Sequence, residues 1–312
     1  MTSIDVAIPC YEQGRFLEDA VNSVLEQGVE SVRILVIDNG SKDNSAEAAQ
    51  ELARRDSRIE LALHKNNRGP HASFNEAVDW CSGGYFMILC ADDILTSGSL
   101  MRASFILDRE PRLSFAYGAD VHWVTGEPFP SIAQPLGKPI WRAYEGYEFI
   151  RGVCRNPERY IAAGMVLVRS EMQKAAGYYR AELPHTDDLE MLLRLSCLGS
   201  VAVTPAIQGI KRMHGGNRTV HMLSERTRDL TERVAALESF FAREGKVLPD
   251  AEKLRLLGRR SISERAYWCA MKDLVRGRQT AFSLFILALT LDPLVALVPP
   301  VNYLLRFRQR QW

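Results

Sequence analysis

The sequence predicts an α/β fold in which a mostly parallel sheet is flanked by helices. Apolar runs of strand length recur in the first half of the chain, at residues 4–9, 32–38, 59–63, 85–90, 114–117 and 121–124. Segments with helical periodicity alternate with these runs, at residues 16–27, 45–55, 71–81 and 97–109. Capping and turn residues separate the segments. In open sheets of this kind ligands bind beyond the carboxyl ends of the strands, so residues after each strand are the first candidates for a site.

The second half of the chain departs from this alternation. Residues 125–160 are rich in proline and aromatic residues and predict a loop-rich insertion. A strand is expected at residues 162–170, a helix at 187–198 and a short strand at 200–204. Beyond His221 the pattern is helical to the end.

Composition places the chain among soluble globular proteins. Of its 312 residues 46% are hydrophobic and 25% charged, and the formal net charge is +1, which argues against disorder and against a dedicated nucleic-acid binder. The charge is uneven, because residues 252–312 carry 11 basic and 4 acidic side chains, an excess of +7. Six cysteines occur without a CxxC pair, and the first residues do not resemble a signal peptide. We therefore expect a cytoplasmic protein.

Residues 281–305 are apolar enough to raise the question of membrane contact. A helix needs ~20 apolar residues to cross a bilayer, and Asp-Pro and Pro-Pro pairs divide this run into shorter pieces. A helix packed on the protein is the favoured interpretation. The alternative is peripheral contact with the inner face of a membrane, aided by Arg306, Arg308 and Arg310.

Polar and aromatic residues follow the first two predicted strands. Asp38 ends the second strand, and Pro9 and Tyr11 lie at the end of the first. A carboxylate there can accept hydrogen bonds from a base or ribose, and a tyrosine can stack on a planar ring. Taken alone, each is more simply explained as an ordinary turn or packing residue.

Asp92 and Asp93 are adjacent at the end of a buried apolar strand. Two neighbouring carboxylates repel each other unless a cation or a donor compensates them. Carboxylate oxygens suit Mg²⁺ or Mn²⁺, which commonly bridge protein carboxylates to substrate phosphates. The pair therefore predicts a metal and diphosphate site, with a solvated loop pair as the alternative.

A second acidic pair, Asp187 and Asp188, begins the amphipathic helix predicted at 187–198. The helix dipole favours ionised carboxylates in the first turn. An ionised carboxylate that faces a substrate hydroxyl can act as a general base, although helix capping is the simpler explanation for the pair alone. Arg194 can brace this site or form a salt bridge.

Residues 209–219 combine Lys211, Arg212, His214 and a Gly-Gly turn, which predicts a flexible basic loop. Such a loop can close over a diphosphate and supply donors or a metal ligand. The chain lacks a Walker motif, a GxGxxG after the first strand and a GxSxG elbow, so these three classes of site are disfavoured.

Six segments, taken together, resemble the family 2 glycosyltransferases, which are inverting, nucleotide-sugar-dependent enzymes with a GT-A fold. The segments are IPCYEQGRFLEDAVNSVLEQ, VIDNGSKDNS, NNRGPHASFNEAV, CADDILTSGSL, GYYRAELPHTDDLEMLLRL and KRMHGGN. Each is short, but six in the family's order and spacing make coincidence a poor explanation. The resemblance extends from residue 3 to about residue 218 and leaves the helices after His221 outside it.

On the donor side, the resemblance implies that Pro9, Tyr11 and Asp38 contact the nucleoside and that Arg68 lies near the diphosphate or base. Asp92 then belongs to the family's metal motif together with its neighbour.

Asp92 and Asp93 match that metal motif, one directed toward the ribose and the other toward the cation, and the resemblance leaves open which is which. Cys90 stands where many members have an acidic residue. Ligation would therefore rest on the two aspartates and His214. The cofactor expected from the resemblance is Mn²⁺ or Mg²⁺.

On the acceptor side, alignment through Arg194 makes Asp188 the expected catalytic base, with Asp187 in place of the family's glutamate. Three polar residues of the 209–219 segment are expected to hold the diphosphate. They are Lys211, Arg212 and Asn217 in the order of the chain, Asn217 contributing an amide.

The resemblance thus implies a hexosyltransferase with a UDP- or dTDP-sugar donor and a glycan, lipid-linked or small-molecule acceptor. A GT-A domain is expected over residues 1–220, with a nucleotide-sugar half (1–120), an acceptor half (121–220) and a helical extension (221–312). Residues 125–160 are the candidate acceptor lid, and a homo-oligomer is a further hypothesis. Two other functions remain open: a Mg²⁺-dependent nucleotidyltransferase, and a non-catalytic nucleotide-sugar binding or scaffold protein.

Overall fold

The computed structural model describes residues 3–132, 140–157, 161, 163–217, 225–296 and 300. Within these residues a nine-stranded sheet forms the centre of the fold. The strands are β1 (Ile4–Cys10), β2 (Val32–Asp38), β3 (Ile59–Leu63), β4 (Tyr85–Ile88), β5 (Ile94–Leu95), β6 (Leu113–Val124), β7 (Arg142–Tyr144), β8 (Leu167–Arg169) and β9 (Ser200–Met213). The α-helices of the described residues are α1 (Gly14–Leu25), α2 (Ser45–Arg55), α3 (Pro70–Trp80), α4 (Ser99–Arg109), α5 (Gly146–Arg155), α6 (Ser170–Ala176), α7 (Asp187–Leu198), α8 (Arg226–Ala242), α9 (Ala251–Val275) and α10 (Thr280–Leu291).

The strand order is β3-β2-β1-β4-β8-β6-β9-β5, and β7 pairs with β9. Strands β1 to β4 form a parallel block joined through helices, and β6 is parallel to β9. Antiparallel pairs join β4 to β8, β6 to β8, β5 to β9 and β7 to β9. The predicted α/β fold with helices on a central sheet is confirmed, and the parallel pairing lies mainly in the first half, where the strand and helix alternation is regular.

Strands β1, β2 and β4 of the parallel block are buried on both faces, which is why they read as continuous apolar runs. On one face α1 packs its buried Leu17, Val21 and Val24 against β1 and β2. On the other face Ala77 and Val78 of α3 pack against the same strands. Because both faces are covered, only the strand ends of this block are available to hold polar side chains.

Three segments differ from the sequence-based prediction. Residues 146–155, expected within a loop-rich insertion, form α5. β6 is one strand over residues 113–124 rather than two. β9 continues to Met213 because it pairs with β6 along its whole length, so Lys211 and Arg212 lie on a strand and not in a flexible loop.

The described residues divide into two compact units. Those within 1–146, 160–181 and 195–215 form unit 1, and those within 147–159, 182–194 and 216–312 form unit 2. Unit 1 contains the sheet and unit 2 the C-terminal helices. The predicted donor-side residues up to His214 belong to unit 1, whereas Asp187, Asp188, Arg194 and Asn217 belong to unit 2.

In unit 2, α10 packs on α9 through the buried Leu284 and Ala288, as the sequence predicts for a helix that packs on the protein. The other side of α10 exposes Phe282 and Ile286. No helix of the described residues combines the length and the apolarity needed to cross a bilayer. The basic residues expected to aid membrane contact, at 306, 308 and 310, lie outside the described residues.

Candidate active site

The ends of β1, β2 and β3 bring the predicted nucleoside contacts together. Cys10 pairs with Asp38 across β1 and β2, so Pro9 and Tyr11 lie beside Asp38 at the sheet edge. The backbone N–H of His64, after β3, donates to the carbonyl of Asp38 at 2.9 Å. Tyr11 is 41% exposed whereas Asp38 is buried. This edge therefore combines an accessible aromatic ring with a buried carboxylate.

One oxygen of the Asp38 carboxylate lacks a protein partner. Oδ2 accepts a hydrogen bond from the Ser41 N–H at 3.3 Å. Oδ1 is buried and has no hydrogen-bond partner in the part of the chain that the structure describes. A buried acceptor without a donor is costly. A donor group of a bound ligand would satisfy it, which fits the predicted contact with a nucleoside.

Asn39 organises the loop that carries Arg68. Its Oδ1 accepts from the backbone N–H of Arg68 at 3.0 Å, and its Nδ2 donates to the carbonyl of Gly69 at 3.0 Å. The Arg68 side chain is 61% exposed. The sequence analysis did not single out Asn39, and its position directly after a buried strand is the one signal that could have found it.

The predicted acidic pair lies between β4 and β5 on the carboxyl edge of the parallel block. Asp92 and Asp93 are 7% and 6% exposed. Because β5 runs antiparallel to β9, with Ile94 opposite Ile210, the end of β9 passes alongside the pair. The structure thus brings His214 within 3.0 Å of the acids, measured from its Nε2 to Asp92 Oδ2.

The charged form of Asp93 is disfavoured by its surroundings. Burial, and then the charge of Asp92, raise the pKa of Asp93 to about 7. Lys211 and the Arg212 N–H oppose the rise, and Asp120 adds to it. Asp120, on β6, is a residue that sequence reasoning missed, because only its pairing with β9 brings it near the acids. Burial raises its pKa as well.

Cys90, Asp92 and Asp93 could hold a metal ion. Each offers one ligand atom, and the three atoms lie within 4.8 Å of one another. Two carboxylate oxygens suit Mn²⁺ or Mg²⁺, and a cysteine sulfur is a softer ligand. The donor set therefore fits a divalent cation, with the exposed Cys90 in the position where the resemblance expects an acid.

Arg212 is buried, and its guanidinium is bonded within the protein. Nη2 donates to Asp19 Oδ2 at 2.6 Å, and Nε donates to the carbonyl of Asp92 at 3.1 Å. The predicted contact with a diphosphate stays a prediction for Arg212 and for Lys211, which is half-buried. Asp19 is a further residue that the sequence did not single out.

In unit 2, α7 begins with the second acidic pair. Asp187 is buried and Asp188 half-buried, and the Leu189 N–H donates to Asp188 Oδ1 at 2.6 Å. Burial, and then Asp187, raise the pKa of Asp188, while Arg233 and His185 oppose the rise. A raised pKa is a property expected of a general base that works near neutral pH.

Two other predicted site residues, Arg194 and Asn217, also belong to unit 2. Arg194 is buried and forms an ion pair with Glu190 at 2.9 Å, one turn along α7, so it braces the helix. Asn217 is buried.

The sequence of this chain is similar to those of known glycosyltransferases. The family model for glycosyl transferase family 2 matches residues 5–164, just over half of the chain. The glycosyltransferase GlyG of Streptococcus pneumoniae is 33% identical over 93 residues, which cover 30% of this chain and 31% of GlyG. The GalNAc(5)-diNAcBac-PP-undecaprenol β-1,3-glucosyltransferase of Campylobacter jejuni is 33% identical over 101 residues, 32% of this chain and 33% of that enzyme. These matches therefore span about a third of each relative.

Solved structures show the same fold over nearly the whole chain. TarS of S. aureus in complex with UDP-GlcNAc has a TM-score of 0.57 at 14% identity, covering 95% of this chain and 92% of that one. The mannosyltransferase PcManGT of Pyrobaculum calidifontis, in complex with GDP-Man and Mn²⁺, has a TM-score of 0.58 at 16% identity, covering 96% and 82%. With the match of the family model, these likenesses confirm the predicted family: the chain belongs to glycosyltransferase family 2.

Proposed function

We propose that this protein transfers a sugar from a nucleotide-diphosphate sugar to an acceptor hydroxyl with inversion at the anomeric carbon. The observation that carries the proposal is the buried, unpartnered Oδ1 of Asp38 on the same sheet edge as Asp92 and Asp93. A carboxylate acceptor for a base and an acidic pair for a cation are the two elements that a nucleotide diphosphate requires.

In this proposal the donor nucleoside lies against Tyr11 and Asp38, with Arg68 near the diphosphate. A uracil or thymine N–H would satisfy Asp38 Oδ1. Asp92 and Asp93 would hold Mn²⁺ or Mg²⁺, which when bound stabilises the negative charge of the leaving diphosphate. Solved relatives bind UDP-GlcNAc and, with Mn²⁺, GDP-Man, which supports a nucleotide-sugar donor here.

Asp188 is proposed as the base that removes the proton from the acceptor hydroxyl. A diphosphate leaves without protonation once its charge is stabilised, so one carboxylate is enough, whereas a glycosidase needs two. The raised pKa of Asp188 keeps it basic enough to accept the proton. The Campylobacter relative is named for an undecaprenol-linked substrate, which supports a lipid-linked acceptor among the candidates.

The function can be tested by incubating the protein with a panel of nucleotide sugars and Mn²⁺ or Mg²⁺. Release of nucleoside diphosphate, by hydrolysis or transfer, supports the proposal. Release of pyrophosphate would identify a nucleotidyltransferase instead. Thermal stabilisation without turnover would identify a binding protein.

The base can be tested separately with Asp188→Asn. We expect kcat to fall at least ~100-fold, the lower end for loss of a general base. Donor affinity should stay unchanged, because Asp188 is assigned to the acceptor. The matched variant Asp38→Ala should weaken donor binding instead. Near-normal turnover of Asp188→Asn would contradict the assignment.

We also propose peripheral contact between unit 2 and a membrane surface. The exposed Phe282 and Ile286 lie one turn apart on α10, with Leu289 in the next turn. Exposed apolar side chains at this spacing, close to basic residues, are typical of helices that lie in a membrane interface. Such contact would suit a lipid-linked acceptor.

A further inference from the structure

The side chain of Arg212 is enclosed between two aromatic rings in unit 1. Its guanidinium carbon lies 4.5 Å from the ring centre of Phe16 on α1 and 4.7 Å from that of Trp123 on β6. Only 5% of the residue is exposed. A cation between two aromatic faces, removed from water, is held in a defined plane.

Arg212 contacts the acidic pair through both its backbone and its side chain. Its backbone N–H donates to Asp93 Oδ1, and its Nε donates to the carbonyl oxygen of Asp92, each at 3.1 Å. Its Nη2 donates to Asp19 Oδ2 on α1 at 2.6 Å. One residue therefore connects both aspartates to the first helix of the fold.

The two side-chain contacts require arginine, whereas the contact with Asp93 comes from the backbone N–H. The guanidinium is planar, stacks on aromatic rings and presents donors in fixed directions, whereas a lysine amine offers one flexible point charge. Asp19, which is 55% exposed at its side chain, sets the orientation of the fork from the outer side. The Nε and Nη2 donors of Arg212 are thus directed at protein oxygens.

We propose that Arg212, oriented by Asp19, is the positioning residue of the acidic pair: it holds the Asp92–Asp93 segment in the geometry that binds the divalent cation. The inference rests on the proposed function, because it assigns the cation to these two aspartates. In this proposal Arg212 supports the acidic pair, whereas the sequence analysis assigned it to a direct contact with the diphosphate.

The test compares two variants that remove this support and one matched control. Arg212→Lys keeps the charge and removes the planar fork. Asp19→Ala leaves Arg212 in place and removes its outer partner at a partly exposed helical position. Glu18→Ala removes the neighbouring carboxylate of α1, which pairs with Arg55 instead, and serves as the control.

The readouts are Mn²⁺ affinity of the nucleotide-free protein by calorimetry and UDP affinity in the presence of EDTA. We expect Mn²⁺ binding about 10-fold weaker or worse in both variants, the usual effect of losing a group that orients a metal ligand. UDP affinity without metal should match the wild type, as should both affinities of Glu18→Ala. Should Arg212→Lys fail to fold, as judged by circular dichroism, Asp19→Ala carries the test.

Two results would overturn the inference. Wild-type Mn²⁺ affinity in Asp19→Ala would show that the outer partner does not position the pair. Weaker UDP binding in EDTA with unchanged Mn²⁺ affinity in Arg212→Lys would make Arg212 a phosphate ligand. Failure of the wild-type protein to bind either Mn²⁺ or UDP would overturn the proposed function itself. This outcome is distinguishable from a failure of the inference about Arg212 because it is seen without any variant.

Discussion

At the scale of single residues, the chemistry of the site depends on how burial changes the acidity of carboxyl groups. Asp188, the proposed base, has its pKa raised by burial and by Asp187, and lowered in part by Arg233 and His185. A base must be deprotonated to work, so activity should decline as the pH falls through this raised pKa. The acidic limb of kcat therefore has its midpoint above the ordinary aspartate value of about 3.9.

Removing the negative charge of Asp187 should shift the acidic limb of the kcat profile. In Asp187→Asn we expect the midpoint of the acidic limb of kcat to shift to lower pH, because the neighbouring carboxylate no longer disfavours the charged form of Asp188. The measurement is kcat at saturating donor across the acidic and neutral range. Glu171→Gln, which removes an exposed carboxylate of unit 1, should leave the profile unchanged. An identical midpoint in Asp187→Asn would argue against the assignment of Asp188.

Cys90 permits a second prediction at this scale. Its sulfur lies within 4.8 Å of ligand oxygens of Asp92 and Asp93. Cys90→Asp replaces a soft ligand by a hard one, so we expect tighter Mg²⁺ binding, by about 10-fold for one added carboxylate ligand in a site of this type. Calorimetry on the nucleotide-free protein measures it, with Cys90→Ser as the control. Unchanged Mg²⁺ affinity in Cys90→Asp would place the ion away from residue 90.

At the scale of elements, the start of α5 shows how closely the backbone of unit 1 is packed. A Cβ added to Gly146 would lie 1.8 Å from the carbonyl oxygen of Ser196 and 2.6 Å from that of Gly199. No side chain fits there, so the helix can begin against the end of α7 only with glycine. The loop-like composition of the preceding residues concealed this helix from sequence reasoning.

Gly146→Ala should therefore destabilise the protein. We expect a loss of free energy of unfolding on the order of 3 kcal/mol, the upper part of the range for overpacking against backbone. Urea unfolding followed by circular dichroism measures it. A Cβ at Gly215 meets no atom of the described residues within 4 Å, so Gly215→Ala should change stability by less than about 0.5 kcal/mol. Equal stability of both variants would contradict the packing described for α5.

At the scale of the whole molecule, charge is divided along the chain. Residues 252–312 carry an excess of +7, and the total of +1 leaves −6 for residues 1–251. The basic part includes α10, whose exposed side chains include Phe282, Ile286 and Leu289. Positive charge beside exposed apolar side chains favours an anionic membrane surface as the partner.

Flotation with anionic vesicles tests this proposed contact. We expect the protein to float with phosphatidylglycerol vesicles at low salt and less so at high salt, because the charge term is screened. Combining Phe282→Ser with Ile286→Ser should reduce flotation at both salt concentrations. Val247→Ser changes another exposed apolar residue of unit 2 and should have no effect. Equal flotation of the double variant and the wild type would remove α10 from the contact.

Much of the fold could be predicted because its signals are local. Strands buried on both faces appear in the sequence as apolar runs, and the apolar residues of the helices between them recur with a period of 3.6 residues. Asp38 ends β2, and Asp92 and Asp93 come shortly after β4, so their position on one sheet edge follows from the parallel order. The family model matches residues 5–164, which include the first four of the six segments named above.

What the sequence by itself determined is thus the alternation of strands and helices, the acids at the strand ends and the family. The tertiary structure alone decided which distant groups meet: Asp19 with Arg212, Asp120 with the acidic pair, and Asn39 with Arg68. The physical reason is that these contacts depend on strand register. The pairing of β9 with β5 and β6, far apart in the chain, turns Arg212 inward between two aromatic rings, and no local pattern of residues specifies that direction.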